Sequence, residues 1–198
     1  SIAFTRSMAT ASSNNQIYQN TIRYAKDVGL ILDYGDWNVI TYNTIYSNYG
    51  AGIRLVSQDH TDLSNNTLYG NAFTTTTGSG GAGHSEASIV VEGRYVVGSV
   101  RVENNTIYAN GAAGVSSYRA GLYVTGTQDI RIVQNFIHDN VVNYGLDYGL
   151  NNSGSPAITS NVICRDPSFE LRSQQATTLT ARGNWWGTNT PAGEISGT

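Results

Sequence analysis

The sequence predicts an all-β fold, a right-handed parallel β-helix of about seven coils with three short strands in each, and three observations carry that expectation. A six-residue phrase, Asn-x-apolar-x-x-Asn, recurs along the chain; each copy is flanked by two further strand-like runs; and no stretch shows the apolar period of an amphipathic helix. The phrase stands at Asn15 (NQIYQN), Asn43 (NTIYSN), Asn66 (NTLYGN), Asn105 (NTIYAN), Asn135 (NFIHDN) and, with Asp closing it, Asn161 (NVICRD). NWWGTN at Asn184 is a degenerate seventh copy. The first asparagines are 28, 23, 39, 30, 26 and 23 residues apart, so the unit has a minimum near 23 and grows by insertion, as solenoid coils do when their loops vary. Propeller blades need roughly 40 to 50 residues and leucine-rich repeats need a helix or an LxxLxL pattern. Residues 1–198 therefore read as a single solenoid domain.

Each element has a local reason. Before the phrase comes strict alternation, as in Val100-Arg101-Val102-Glu103 and Ile130-Arg131-Ile132-Val133; after it comes glycine and a second apolar run, as in Gly29-Leu30-Ile31-Leu32 and Gly121-Leu122-Tyr123-Val124. Side chains alternate across a strand, so Ile17, Ile45, Leu68, Ile107, Ile137, Ile163 and Trp186 are expected to form one column inside the coil stack. The first asparagines are expected at the bend between strands, where Asn tolerates the left-handed conformation and its amide reaches the equivalent amide one coil away. A second column, Asn20, Asn48, Asn71, Asn110, Asn140, Asp166 and Asn189, reads the same way. Repetition in every coil is what a scaffold needs and an active site does not. Tyr18, Tyr46, Tyr69 and Tyr108, continued by His138, Cys164 and Gly187, follow the inward residue. They are expected as an outward strip of rings that stiffens the sheet or is offered to sugars or a partner.

Composition narrows the function. The chain is 39% hydrophobic and only 13% charged, with Gly 22 and Pro 3, enough apolar mass for a core beneath a weakly charged surface. A net charge of −3, with Lys26 the only lysine, gives no basic footprint for nucleic acid. No apolar run approaches the roughly 20 residues that cross a bilayer. Cys164 is the only cysteine, so no internal disulfide framework is possible. HExxH, GxSxG, P-loop and CxxC motifs are absent, and no cofactor or metal site is indicated.

Candidate reactive residues are few. Asp59-His60-Thr61-Asp62 is the densest ionisable cluster. Asp59, His60 and Asp62 could transfer protons, and paired Asp could hold calcium, although the cluster falls in a turn where such residues are favoured anyway. His84 and Glu86 lie in the longest insertion, AFTTTTGSGGAGHSEAS, whose small residues suggest a mobile flap. This insertion and those at Asn20–Gly29 and Asn110–Gly121 leave the same end of the Tyr-bearing strand, where any gripping surface is expected. Arg54, Tyr123 and Asp147 fall in equivalent strand positions and could line a shallow outward groove. Neither SIAFTRSMATASS at the start nor TPAGEISGT at the tail contains an amphipathic cap, which suggests a section of a longer surface protein or a unit stacking end to end.

The coils of NNTIYGN type followed by Gly-Ile-x-Leu, with the closing NWWGT, resemble the parallel β-helix repeat families of bacterial and archaeal secreted or cell-surface proteins, the pectate-lyase-like superfamily. The resemblance runs from about Asn15 to Asn189. It implies an extracellular or surface setting and either a non-catalytic role in adhesion, assembly or glycan contact, or a polysaccharide lyase, epimerase or hydrolase. Asp59-His60-x-Asp62 is similar to the Asp-Pro-His of alginate epimerases, without the proline. The expected partners are a polysaccharide or surface glycan, touched through Tyr18, Tyr46, Tyr69, Tyr108, His138, Arg54 and Tyr123, or further copies of the chain.

Overall fold

The computed structural model describes residues 2–4, 13–72, 87–93, 99–111, 120–126, 129–141, 144–149, 156–174, 179–187 and 195–197. Their strands wind in order through three parallel sheets. Sheet A has eight strands, Ile2–Phe4, Leu30–Asp36, Ile53–Asp59, Ala87–Glu92, Ala120–Thr125, Tyr144–Tyr148, Phe169–Ser173 and Ile195–Gly197. Sheet B has seven, Gln16–Tyr18, Val39–Thr41, Thr61–Ser64, Ser99–Glu103, Asp129–Val133, Ala157–Thr159 and Ala181–Arg182. Sheet C has six, Thr21–Arg23, Thr44–Tyr46, Thr67–Tyr69, Thr106–Tyr108, Phe136–His138 and Val162–Cys164. The expected three-strand coil is therefore the observed one. Six strands in the shortest sheet limit complete three-strand turns among the described residues to six, against about seven expected.

Each sheet sends at least one aliphatic column to the axis, and sheet A sends a second, Leu32, Leu55, Val91 and Val124. In sheet C the column is Ile22, Ile45, Leu68, Ile107, Ile137 and Ile163, in sheet B it is Ile17, Ile40, Leu63, Val102, Ile132 and Ile158, and all but the first member of each column are fully buried. Leu30, Ile53, Ile89, Leu122, Leu146 and Leu171 do the same for sheet A. Burying one such side chain contributes about 1.5–3 kcal/mol.

Two asparagine ladders turn the corners on either side of sheet C. In the first, the Oδ1 of each rung accepts from the backbone N–H and the Nδ2 of the rung before, from Asn20 through Asn43, Asn66, Asn105, Asn135 and Asn161 to Asn184. Nδ2 also donates to a carbonyl of the preceding coil, Ile17 for Asn43 at 2.8 Å and Leu63 for Asn105 at 2.8 Å. Every buried amide is thereby satisfied at both ends. The second ladder runs Asn48, Asn71, Asn110, Asn140 and Asp166.

Two expectations need correction. NQIYQN at Asn15 is not a rung of the main repeat. Ile17 pairs with Ile40 in sheet B, Tyr18 makes an edge contact with Tyr42 at 5.7 Å, and Asn20 heads the first ladder rather than the second. The first spacing is thus 23 residues, not 28. The error has a physical origin, because a third, short ladder of Asn15, Asn38 and Gln58 turns the A–B corner and gives the first coil two asparagine corners five residues apart. Second, the left-handed residue is not the ladder Asn but the one before it: Gln19, Tyr42, Asn65, Asn104, Gln134 and Ser160 have φ of 53–59°. That twist aims the Asn side chain inward, where its amide meets the next. Asn189 and the insertion containing His84 and Glu86 lie outside the described residues.

The second ladder ends on a carboxylate. Asp166 Oδ1 accepts from Asn140 N and Nδ2 at 2.9 and 3.0 Å, while Asp166 Oδ2 and Glu170 Oε2 are buried without a donor among the described residues. Burial and the facing Asp166 carboxylate push Glu170 up to about 8. A carboxyl raised on folding stabilises the fold where it stays protonated, and that stability is lost as pH rises. The thermal midpoint is expected to fall between the ordinary glutamate value of about 4.3 and about 8 and to level off above. Glu170→Gln, neutral at every pH, should flatten that slope in melts recorded across the range; an equally steep slope in the variant would assign it to another group.

Candidate functional site

The sequence-selected residues fall on three surfaces. On sheet C, Tyr46, Tyr69, Tyr108 and His138 form the expected strip, with centroid separations of 4.8, 5.2 and 5.3 Å and interplanar angles of 4°, 17° and 5°. Stacking consumes both faces of the inner rings, so the strip turns edges and hydroxyls outward. Arg23 Nη1 donates to Tyr46 Oη at 2.7 Å at one end, and at the other Phe136 stacks on His138 at 3.9 Å. Beside it Asp139 accepts from Arg165 and faces His138 Nδ1, and Arg165 holds its carboxyl well below the usual range. Tyr18 belongs to a different column and is 52% exposed.

At the corner of sheets A and B, His60 alone makes the turn, with φ 45°. Asp59 Oδ1 accepts from the backbone N–H groups of His60 at 2.8 Å and Ser99 at 3.1 Å and lies 2.9 Å from His60 Nδ1. Asp59 thus ties two coils together. Asp62 points away from this pair, on the outer face of sheet B in register with Arg101. Among the described residues no three His, Cys, Asp or Glu side chains converge as a bound metal would require.

The outer face of sheet A is the most unusual surface. Ile31, Arg54, Val90, Tyr123, Asp147 and Arg172 occupy one outward column, which places the sequence-selected Arg54, Tyr123 and Asp147 together as expected. They do not form an open groove, since Asp147 and Val90 are fully buried and a second apolar cluster of Val28, Ala51, Ala87, Val90 and Ala120 lies here. Arg54 pairs with Glu92 at 3.2 Å. Arg172 Nε lies 3.2 Å from Asp147 Oδ1, and Gln174 Nε2 donates to the same carboxylate at 3.0 Å. Burial pushes Asp147 up despite these partners. Arg172 also donates to Tyr144 Oη at 3.0 Å, with its guanidinium 4.6 Å from that ring's centre. Buried ion pairs are poor stabilisers compared with apolar residues, so their concentration on one outward face is not explained by packing alone. Sequence reasoning missed Glu92 and Arg172. The available signal was their position: each stands in or beside the Arg54–Tyr123–Asp147 column once the coils are aligned.

This architecture, three parallel sheets joined by asparagine corners with charged groups on one outer face, defines a class, the parallel β-helix. The chain belongs to the right-handed beta helix family, whose match spans residues 4–137. No curated protein sequence matches it. Among solved structures it is similar to the A-module of the Azotobacter vinelandii mannuronan C-5 epimerase AlgE4, with 18% identity and a TM-score of 0.59 over 94% of this chain and 54% of that one. The AlgE6 A-module from the same organism gives 18% identity and 0.50 over 94% and 58%. The chain thus spans little more than half of either module. At such identity the likeness shows the fold alone.

Proposed function

We propose that this β-helix acts on an anionic polysaccharide outside the cell, with the outer face of sheet A as its working surface. The observation that carries the reading is the line of Arg54, Tyr123 and Arg172 in one outward column, backed by Glu92 and Asp147. Strands in neighbouring coils are about 4.8 Å apart, so the two guanidiniums are spaced along the axis for a chain carrying regularly repeated negative charges. Removing a proton beside a carboxylate, the first step of uronate epimerisation or elimination, requires that carboxylate's charge to be neutralised, and a partly buried arginine does this far better than one in water. Arg54 and Arg172, with side chains 13% exposed, are the contacting cations. Tyr123 and Tyr144 are the hydroxyls within reach. Asp147, fully buried, orients Arg172 as a positioning residue. That the AlgE modules are mannuronan epimerases agrees with this reading.

A second reading, glycan contact without turnover, is favoured by one observation: the carboxylates of this face are ion-paired instead of open to a substrate. Incubation with polymannuronate, polygalacturonate and a neutral glucan, with and without calcium, separates the two. The expected result is unsaturated or C-5-inverted product from a uronate polymer alone, detected by ultraviolet absorbance and NMR. Retention on immobilised uronate polymer without product would leave the second reading, and neither product nor retention would sink both.

A further inference from the structure

A different surface carries its own ligand signature. At the A–B corner Trp37 and His60 occupy equivalent positions of successive coils and stack at 4.2 Å with planes 7° apart. Trp37 is 59% exposed and holds φ 57°, a left-handed conformation unfavourable for a bulky residue. The preceding coil uses Asn14 at that position, as a scaffold should. Tyr24 and Tyr42 hold the same conformation at exposed corners, so what sets Trp37 apart is its flat stack on His60 at the end of a cleft.

From this ring a cleft of about 360 Å³ crosses the outer face of sheet B, lined by Trp37, His60, Asp62, Arg101 and Arg131 among others. Asp62, Arg101 and Arg131 are in register on consecutive strands. Arg101 is committed to Glu103. Arg131, directly beside it, is exposed and makes no ion pair or side-chain hydrogen bond among the described residues, and Asp62 Oδ1 is buried without a hydrogen-bond partner. Like charges on adjacent strands destabilise a sheet, so folding gives no reason for a second arginine here. The cleft therefore offers an aromatic pair at one end, a guanidinium with no partner among the described residues three coils away, roughly 14 Å along the axis, and the half-buried Asp62 carboxylate between them.

We propose that this cleft is a second glycan site, separate from sheet A, which holds a uronate oligosaccharide along the helix axis. One pyranose ring packs against the exposed edges of the stacked Trp37 and His60 rings, a hydroxyl donates to Asp62, and a carboxylate meets Arg131. The inference rests on the polysaccharide reading above for its ligand class but not for its place in the molecule.

The test is titration of the protein with a mannuronate oligosaccharide and its carboxyl-reduced, neutral counterpart, followed by calorimetry and by the NMR shift of the Trp37 indole. Trp37→Ala is expected to weaken uronate binding about tenfold, while Trp37→Phe, which keeps a ring, retains most of it and shows that the fold is intact. Arg131→Gln should remove the preference for uronate over the neutral sugar. Unchanged affinity in both Trp37→Ala and Arg131→Gln, or a silent Trp37 signal on saturation, overturns the proposal. If Trp37 responds but no uronate polymer is turned over, the catalytic reading of sheet A fails alone; turnover with a silent Trp37 has the opposite meaning.

Discussion

Replacing the buried Asn105 by alanine is expected to lower the unfolding free energy by about 3–5 kcal/mol. Asn105 is 1% exposed and sits mid-ladder. Its Oδ1 accepts from Asn66 N and Nδ2 at 2.9 and 3.0 Å, and its Nδ2 donates to Leu63 O and Asn135 Oδ1 at 2.8 and 3.1 Å. Alanine removes all four bonds and leaves the buried Asn66 N–H and Leu63 carbonyl unpaired, each costing about 1–3 kcal/mol. Asn104, in the left-handed conformation just before it, stays as it is. Thus the comparison variant Asn104→Gly, which relieves backbone strain on the surface, should be neutral or slightly stabilising. Denaturant unfolding of the two variants checks the pair. Equal stability in Asn105→Ala and wild type would show that the ladder is ornamental.

Arg172→Met should be the most damaging change on the outer face, and it separates scaffold from function. Asp147 is fully buried, so removing its cation strands a carboxylate at an expected cost of about 3–5 kcal/mol. Adding Asp147→Asn neutralises that group and should recover most of the stability. Activity should not follow. If Arg172 neutralises a uronate carboxylate, the stable double variant still lacks the cation, and kcat/KM falls about a hundredfold or more. Melting curves and turnover measured on all four members of the cycle decide it. Recovery of turnover together with stability would reduce Arg172 to a structural partner of Asp147.

The resemblance and the repeat made the solenoid legible, and particular residues show why. Ile45, Leu68, Ile107, Ile137 and Ile163 lie in one column because the hexamer places each two residues after a corner, and a strand's side chains alternate. The same logic failed in the first coil. Asn15-Gln-Ile and Asn20-Thr-Ile present the identical pattern, and only hydrogen bonding to Asn38 or to Asn43 tells them apart. The stacked tyrosines were legible as a strip, but their faces turned out to be used on one another. On sheet A the column of Arg54, Tyr123 and Asp147 could be anticipated from alignment of the coils. The burial of Asp147 and its pairing with Arg172 could not, because both depend on neighbours far away in the chain.

By itself the sequence determined the winding from the second coil on: where each coil bends, which residues face the axis and which amides stack. These properties repeat every turn, so local alternation and corner chemistry specify them without reference to the rest of the molecule. The tertiary structure alone decided which outward charges meet. Arg54 finds Glu92 across 38 residues, and Trp37 lies on His60. Insertions of variable length between coils erase the sequence distance between such partners, and only the register of the stack, set by the ladders, restores it.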